Sequence, residues 1–472
     1  MRNLIGREKE HKRFMRHYIS NKAEFIALFG RRRVGKTFLV KSLFESEFSF
    51  YATGMQNGDT QTQINNFNNE IINFGGEKLK EASNWSEAFN NLHHLIENKL
   101  TKGKKVIFLD EISWMGMSNS DFISALDFFW NRWISSRDDV LLIVCGSATS
   151  WIMDNIVNDT GGLHNRLTDH IQLEPFSLSE CEEFLRDKGV SMPRYQILEF
   201  YMIFGGIPYY LDFIEADRSL AQNIDRMYFE KGAPLKKEYD NLFRALFKNA
   251  DNYIKIIEVL ASKRTGMSRK DMTVALKQKS GGTFSKILSD LISCGFVEEY
   301  LAFGKQKRDC LYRLVDPFTF FHLTFSDKQK RFTENYWLHY SITPAHSAWS
   351  GYAFELACLL HLPQIKSSLG ISGVLTQASS WRSISSSPGV QIDLVLERSD
   401  KVVHLCEMKF TSTEYTIAKS YGDELRRKKA IFLTETNTKK AVHTTLVTTY
   451  GLMNNEYSSE VLFQLTMNDL YR

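Results

Sequence analysis

The sequence predicts an α/β protein: a parallel sheet wrapped by helices, then helical segments, then a second, smaller α/β region. Three observations carry this expectation. Short apolar runs at 25–29, 48–54, 105–110, 140–148 and 170–176 alternate with amphipathic stretches, the pattern of a doubly wound parallel sheet. A basic, glycine-bounded turn follows the first run. Two alternating segments at 389–396 and 402–409, separated by a charged turn, form a hairpin near the end.

Composition sets the outer bounds. A chain of 472 residues with 43% apolar and 24% charged residues has material for about three packed domains. With a net charge of +4 it cannot coat nucleic acid by bulk charge, so any basic surface must be local. Six cysteines, at 145, 181, 294, 310, 358 and 406, stand singly with no metal spacing and no disulfide framework, as expected of buried thiols in a reducing cytosol. The N-terminus MRNLIGREKEHKR is charged where a signal segment is apolar, and the longest clean apolar run, 140–145, is far too short for a membrane helix. A cytoplasmic location without membrane contact is expected.

The first strand runs directly into Gly30-Arg31-Arg32-Arg33-Val34-Gly35-Lys36-Thr37, and Phe38 continues an amphipathic helix over 38–44. This is G-x-x-x-x-G-K-[ST] between strand and helix, the phosphate-binding loop of nucleotide hydrolases. The glycines let backbone N–H groups curl around phosphates, and the helix N-terminus adds its dipole. Lys36 is expected on the β- and γ-phosphates and Thr37 on Mg²⁺, which makes ATP and Mg²⁺ the expected cofactors.

The strand at 105–110 ends in FLDE. Asp110 is expected in the Mg²⁺ shell, and Glu111 is expected to orient or deprotonate the attacking water. Ser147, at the carboxyl end of the 140–148 strand, is either a sensor of the γ-phosphate or a turn serine.

Together with Ile5-Gly6-Arg7-Glu8, Gly162 to Leu167 (GLHNRL) and Gly205-Gly206-Ile207-Pro208, these elements resemble the archaeal ATPase group of AAA+-like, signal-transducing P-loop ATPases. The resemblance covers about residues 1–330. It implies that Gly6 and Arg7 lie near the nucleotide base, that Pro208 in a helical lid packs close to it, and that Arg166 matches an arginine which in relatives acts as a finger on a neighbouring subunit's γ-phosphate. A structural ion pair is the alternative role for Arg166. Arginines at 31, 32 and 33 depart from the usual loop; they either add phosphate contacts or face solvent.

The expected domains are an ATPase core at 1–176, a helical lid at 177–240, a winged helix at 241–330 and a nuclease-like domain at 331–472. Helices are expected at 177–189 and 194–204 in the lid. In the winged helix they are expected at 252–263, 268–276 and 283–294, followed by strands at 296–303 and 310–315 around the basic turn Gly304 to Arg308. Such a module binds a phosphate backbone or serves as an internal dock.

In the terminal hairpin, Glu407 and Lys409 are two residues apart and share a face of their strand, and pairing can bring Asp393 beside them. Two carboxylates and a lysine suit metal-assisted phosphodiester hydrolysis. The arrangement resembles the PD-(D/E)XK nuclease fold, with Ile392 where the name has proline. That resemblance implies Glu355, on an upstream helix, as a further metal ligand beside Asp393 and Glu407. A solvated strand face is the bland alternative, and a basic helix end at 423–429 is read in the same way. The combined expectation is an ATP-hydrolysing switch controlling a Mg²⁺-dependent nuclease-like domain that acts on nucleic acid, DNA ahead of RNA, in defence or mobile-element biology. Homo-oligomers are expected if Arg166 acts as a finger. The rival is a regulatory ATPase whose terminal domain binds nucleic acid or protein without cutting. A third reading is a chaperone-like motor indifferent to nucleic acid.

Overall fold

The computed structural model describes residues 3–76, 81–98, 103–117, 120–158, 163, 165–305, 309–330, 335–383 and 385–472. They divide into two compact units, Met1–Pro175 and Phe176–Arg472.

The first unit is a five-stranded parallel sheet: β1 (Glu24–Phe29), β2 (Phe48–Thr53), β3 (Lys105–Asp110), β4 (Val140–Gly146) and β5 (Asp169–Gln172), in the order β2-β3-β4-β1-β5. Every residue of β1, β3 and β4 is buried, as a sheet covered by helices on both faces requires. All five expected strands are present, the last two ending earlier than expected, at Gly146 and Gln172. The sheet order places β4 between β1 and β3. The loop after β1 and the acidic pair after β3 therefore flank the end of β4, where Ser147 lies. An aromatic and aliphatic core, including Phe50, Phe67, Trp85, Phe89 and Phe122, seals one face.

The second unit opens with helices Leu178–Asp187 and Arg194–Phe204, close to the expected bounds. Ser177 and Glu180 form a capping box at the first, satisfying two otherwise orphaned N–H groups. Between the second helix and the short helix Pro208–Leu211 the chain turns at Gly206, where a Cβ would lie 1.8 Å from the Phe176 carbonyl oxygen. Only glycine fits there.

Three helices follow, Ala250–Ser262, Arg269–Ala275 and Gly282–Ser293. With them goes a three-stranded sheet of β6 (Met267–Ser268), β7 (Val297–Tyr300) and β8 (Leu311–Leu314) in the order β6-β8-β7. The expected strand at 296–303 stops at Tyr300. Ala302 bridges Ser380 instead, and the Phe303 N–H donates to the Ser380 carbonyl at 2.7 Å. Residues 306–308 of the expected basic turn lie outside the described residues.

A second five-stranded sheet closes the chain: β9 (Thr376–Arg382), β10 (Gln391–Arg398), β11 (Val402–Lys409), β12 (Ala441–Thr448) and β13 (Phe463–Leu465), ordered β13-β12-β11-β10-β9. The expected hairpin is the antiparallel pair β10–β11, and the helix Lys419–Thr436 crosses over to the parallel strand β12. The helix Pro344–Leu360, which carries Glu355, lies upstream. The segments expected as lid, winged helix and terminal domain all fall within this one unit.

Candidate functional site

The loop after β1 adopts the conformation its glycines allow. Gly30 has φ +144° and Gly35 φ +92°. A Cβ on Gly30 would approach the Leu173 carbonyl oxygen to 2.3 Å, whereas nothing lies within 4 Å of one on Gly35. The first glycine thus permits close packing of β1 on the chain after β5. The second opens the hollow at the start of the helix Lys36–Phe44. Lys36 is 6% exposed, and its ammonium donates to the Gly30 and Arg31 carbonyls, both at 2.9 Å. The cation is held over the loop's own backbone, at the helix N-terminus where phosphates are favoured.

Thr37 Oγ1 donates to Asp110 Oδ2 at 2.7 Å. Two residues 73 positions apart, each expected in a Mg²⁺ shell, are brought together as neighbouring hard oxygen donors. That pair fits the ion. Glu111 takes the left-handed conformation, φ 47° and ψ 45°, uncommon for a residue with a side chain and of a kind that clusters at functional sites. Its Oε2 accepts from the Ser147 N–H at 3.2 Å and from the Ser147 hydroxyl at 3.0 Å. Ser147 is therefore a partner of Glu111, a third role beside the sensor and the turn serine expected from sequence.

Gly54 was missed in the sequence. Its N–H donates to the Asp110 carbonyl at 2.9 Å, and a Cβ there would lie 2.5 Å from the Glu111 carbonyl oxygen. The signal was present, a glycine directly after a strand, but its target is a distant segment.

Arg7 differs from the expectation of a base contact. Its side chain donates to the Glu174 carbonyl at 2.7 Å and to the Val34 carbonyl at 3.1 Å, and the residue is 6% exposed. It braces the phosphate loop against the chain after β5. Both Gly6 and Arg7 have φ 61°, the kink that lets the helix Glu8–Tyr18 begin there. Arg31 is buried, Arg32 and Arg33 are half-buried, and Phe38 is 42% exposed. Arg166 is exposed, in a turn whose N–H donates to the Leu163 carbonyl at 3.0 Å; residues 162 and 164 of that stretch lie outside the described residues. Pro208 stands at the first turn of its helix in the second unit.

In the terminal sheet β10 and β11 pair with Leu394 opposite Cys406. Continuing that register by one residue sets Asp393 level with Glu407. Glu355 feels both: burial, then the Asp393 and Glu407 charges, push its carboxyl up to about 8. The Glu407 carboxylate, however, is already engaged. Lys428 Nζ lies 2.8 and 2.9 Å from its two oxygens, and the Tyr421 hydroxyl donates to Oε2 at 3.2 Å. Lys409 sits over the Tyr421 ring, 4.5 Å from its centre, and Gln391 donates to Asp393. Among the described residues no group of three or more His, Cys, Asp or Glu side chains is arranged to hold a metal ion. The expected ligand set Glu355, Asp393 and Glu407 is thus not assembled, because an ammonium occupies the Glu407 carboxylate. Lys428 was expected on a solvated helix face. It and Tyr421 are seven residues apart, and that spacing on one helix face was the available signal.

All six cysteines are free and buried, and no described helix is long and apolar enough to cross a membrane.

Residues 4–214 match the family model described as an ATPase domain predominantly from Archaea. An uncharacterized protein of Methanocaldococcus jannaschii is 22% identical over 438 residues, spanning 91% of this chain and 93% of its own. The Walker-type ATPase of Pyrococcus abyssi superposes with a TM-score of 0.53 at 17% identity, over 68% of this chain and 96% of that one; this likeness is one of fold. The Aeropyrum pernix ORC2 protein gives a TM-score of 0.42 at 14% identity, over 70% and 95%, and adds nothing to the assignment. Residues 4–214, with their glycine loop, Lys36 and the Thr37–Asp110 pair, are a nucleotide-binding P-loop ATPase domain of the type found predominantly in Archaea.

Proposed function

We propose that the chain is an ATP-hydrolysing regulatory switch whose C-terminal half binds nucleic acid, DNA ahead of RNA, without depending on a metal centre there. The observation that carries the first part is the Thr37–Asp110 hydrogen bond beside a Glu111 held by Ser147. In this reading Thr37 and Asp110 hold Mg²⁺, Lys36 leaves the Gly30 and Arg31 carbonyls for the β- and γ-phosphates, and Glu111 takes the proton of the attacking water. Mg²⁺ supplies neutralisation of the charge on the transferred phosphoryl oxygens. Gly6, Arg31, Arg32, Arg33, Val34 and Phe38 border the nucleotide, Pro208 approaches it from the lid, and the exposed Arg166 serves a neighbouring copy in a homo-oligomer. The helices and hairpin at 250–314 act as a winged helix between switch and terminal domain.

A second reading, a PD-(D/E)XK-like nuclease, is favoured by the level placement of Asp393 and Glu407 and by their joint effect on Glu355. Against it stands the Lys428 ammonium on Glu407.

The test incubates the full chain with plasmid DNA, Mg²⁺ or Mn²⁺, with and without ATP, beside Lys36→Ala and Asp393→Ala. The proposal expects phosphate release from ATP that is lost in Lys36→Ala, DNA retention on a gel, and no cleavage. Cutting by the wild type that disappears in Asp393→Ala would replace it with the nuclease reading.

A further inference from the structure

In the second unit the chain between the helix Ala250–Ser262 and β6 meets the terminal sheet across a cavity of about 220 Å³. Its wall carries Arg264 and Arg313 from the β6–β8 module, Arg382 at the end of β9, and Tyr352, Glu355 and Asp393 from the terminal domain. Two of the guanidinium groups are held on rings: Arg264 lies 5.1 Å from the centre of the Tyr352 ring, and Arg313 lies 4.3 Å from that of Tyr300. The Tyr352 hydroxyl donates to the Arg264 carbonyl at 3.2 Å, which ties the two sides together. Arg313 also pairs with Glu298, whereas Arg264 is exposed.

We infer that this cavity receives one nucleotide unit of a single-stranded nucleic acid, with the phosphate on Arg264 and Arg382 and the base or sugar against the Tyr352 side. The inference rests on the proposed nucleic-acid-binding role and gives it a place. Cationic groups beside an aromatic platform are what a single strand needs, since every base has a face to stack and every phosphate a charge to pair. A space of this volume is too small for a base pair, so a duplex is excluded from it. The acids oppose any ligand that presents carboxylates or more than one phosphate to them, which places the phosphate toward the arginine side. Arginine suits the task through its planar fork of donors, which matches phosphate oxygens in pairs.

The test is fluorescence anisotropy of fluorescein-labelled oligo-dT of 20 nucleotides, and of a 20-base-pair duplex, with the full chain in EDTA. Wild type is run beside Arg264→Glu, Arg382→Glu and Asp393→Asn at several salt concentrations. Arg264 is exposed, so thermal melting of its variant should match wild type and certify folding. The expected result is at least about tenfold weaker oligo-dT binding in each arginine variant, the tenfold corresponding to about 1.4 kcal/mol. The salt slope should be shallower by about 0.7 per contact removed. Asp393→Asn should bind severalfold more tightly, because a carboxylate facing the phosphate is gone. Oligo-dT binding unchanged in both arginine variants overturns the inference and leaves nucleic-acid binding to another surface. No binding of either oligonucleotide by the wild type sinks the proposed role itself. Arg264-dependent binding of fluorescent polyglutamate in place of oligo-dT would assign the cavity to an acidic protein partner and also overturn the inference.

Discussion

Replacing Glu111 with glutamine isolates the chemical step from nucleotide binding. The amide keeps the shape of the carboxylate, and its oxygen can still accept from the Ser147 N–H and hydroxyl, the contacts of 3.2 and 3.0 Å that aim the side chain. Only basicity and charge are lost. General-base catalysis contributes about 10²–10⁴-fold, which at about 1.36 kcal/mol per decade is roughly 3–5 kcal/mol of barrier. The contacts that organise the loop, Lys36 to Gly30 and Arg31 and Thr37 to Asp110, do not run through Glu111. Phosphate release should therefore fall by about 10²–10⁴-fold while the affinity for a fluorescent ATP analogue stays within about threefold, a shift under about 1 kcal/mol. Asp110→Asn provides the contrast, since it should lose Mg²⁺-dependent binding and turnover together. Glu111→Gln turnover close to wild type would remove the base assignment. Joint loss of binding and turnover would make Glu111 a structural residue of the loop.

Gly54→Ala should cut turnover at least about tenfold, roughly 1.4 kcal/mol, and spare nucleotide affinity, because the new Cβ would lie 2.5 Å from the Glu111 carbonyl oxygen; steady-state kinetics beside equilibrium binding checks the split. Arg7→Ala leaves the Glu174 and Val34 carbonyls without their donor. At about 1–3 kcal/mol for each unsatisfied buried group, the N-terminal unit should lose roughly 5–15 °C of melting temperature, and an unchanged melt refutes the bracing role. Lys428→Met strands the Glu407 carboxylate, so the second unit should lose about 3–5 kcal/mol in urea titration, with Glu407→Gln in the same chain recovering much of it. His361 gives a pH signature. Its ring accepts the Leu178 N–H on Nε2 at 3.0 Å and meets the Ala357 carbonyl through Nδ1 at 2.8 Å, so the neutral form is the one the fold holds, and burial pulls its pKa down to about 4. The unfolded imidazole binds a proton below about 6.5, so this stability is complete above that pH and is lost as pH falls toward 4. The loss should reach about 3 kcal/mol at most, and His361→Gln should flatten the slope in that window.

What could be read from the sequence was whatever is local or periodic. The glycine loop shows in eight consecutive residues, FLDE in four, and the hairpin around Asp393 and Glu407 in the alternation of its strands. The pairing of Thr37 with Asp110 followed from chemistry, because both are ligands of one ion. The rest depends on chain segments far apart. That β4 lies between β1 and β3, so that Ser147 reaches Glu111, has no local signature. Arg7 belongs to a motif, yet its guanidinium serves the Val34 and Glu174 carbonyls, which only tertiary packing can supply. Lys428 looked like one more cation in a basic helix end, and its function was hidden because the Glu407 partner is 21 residues away on another element.

The bridge from Ala302 to Ser380 and the Phe303 hydrogen bond beside it have a practical meaning for dissecting the chain. β9 is the outer strand of the terminal sheet, and residues 302–303 cover part of its open edge while Phe303 stacks on Phe432 at 5.0 Å. A fragment cut at 330, the boundary that composition suggests, would leave that edge bare and the Phe432 ring partly uncovered. Bare edges recruit other strands. Such a fragment should self-associate, and a workable excision of the terminal sheet has to carry the β7–β8 hairpin with it.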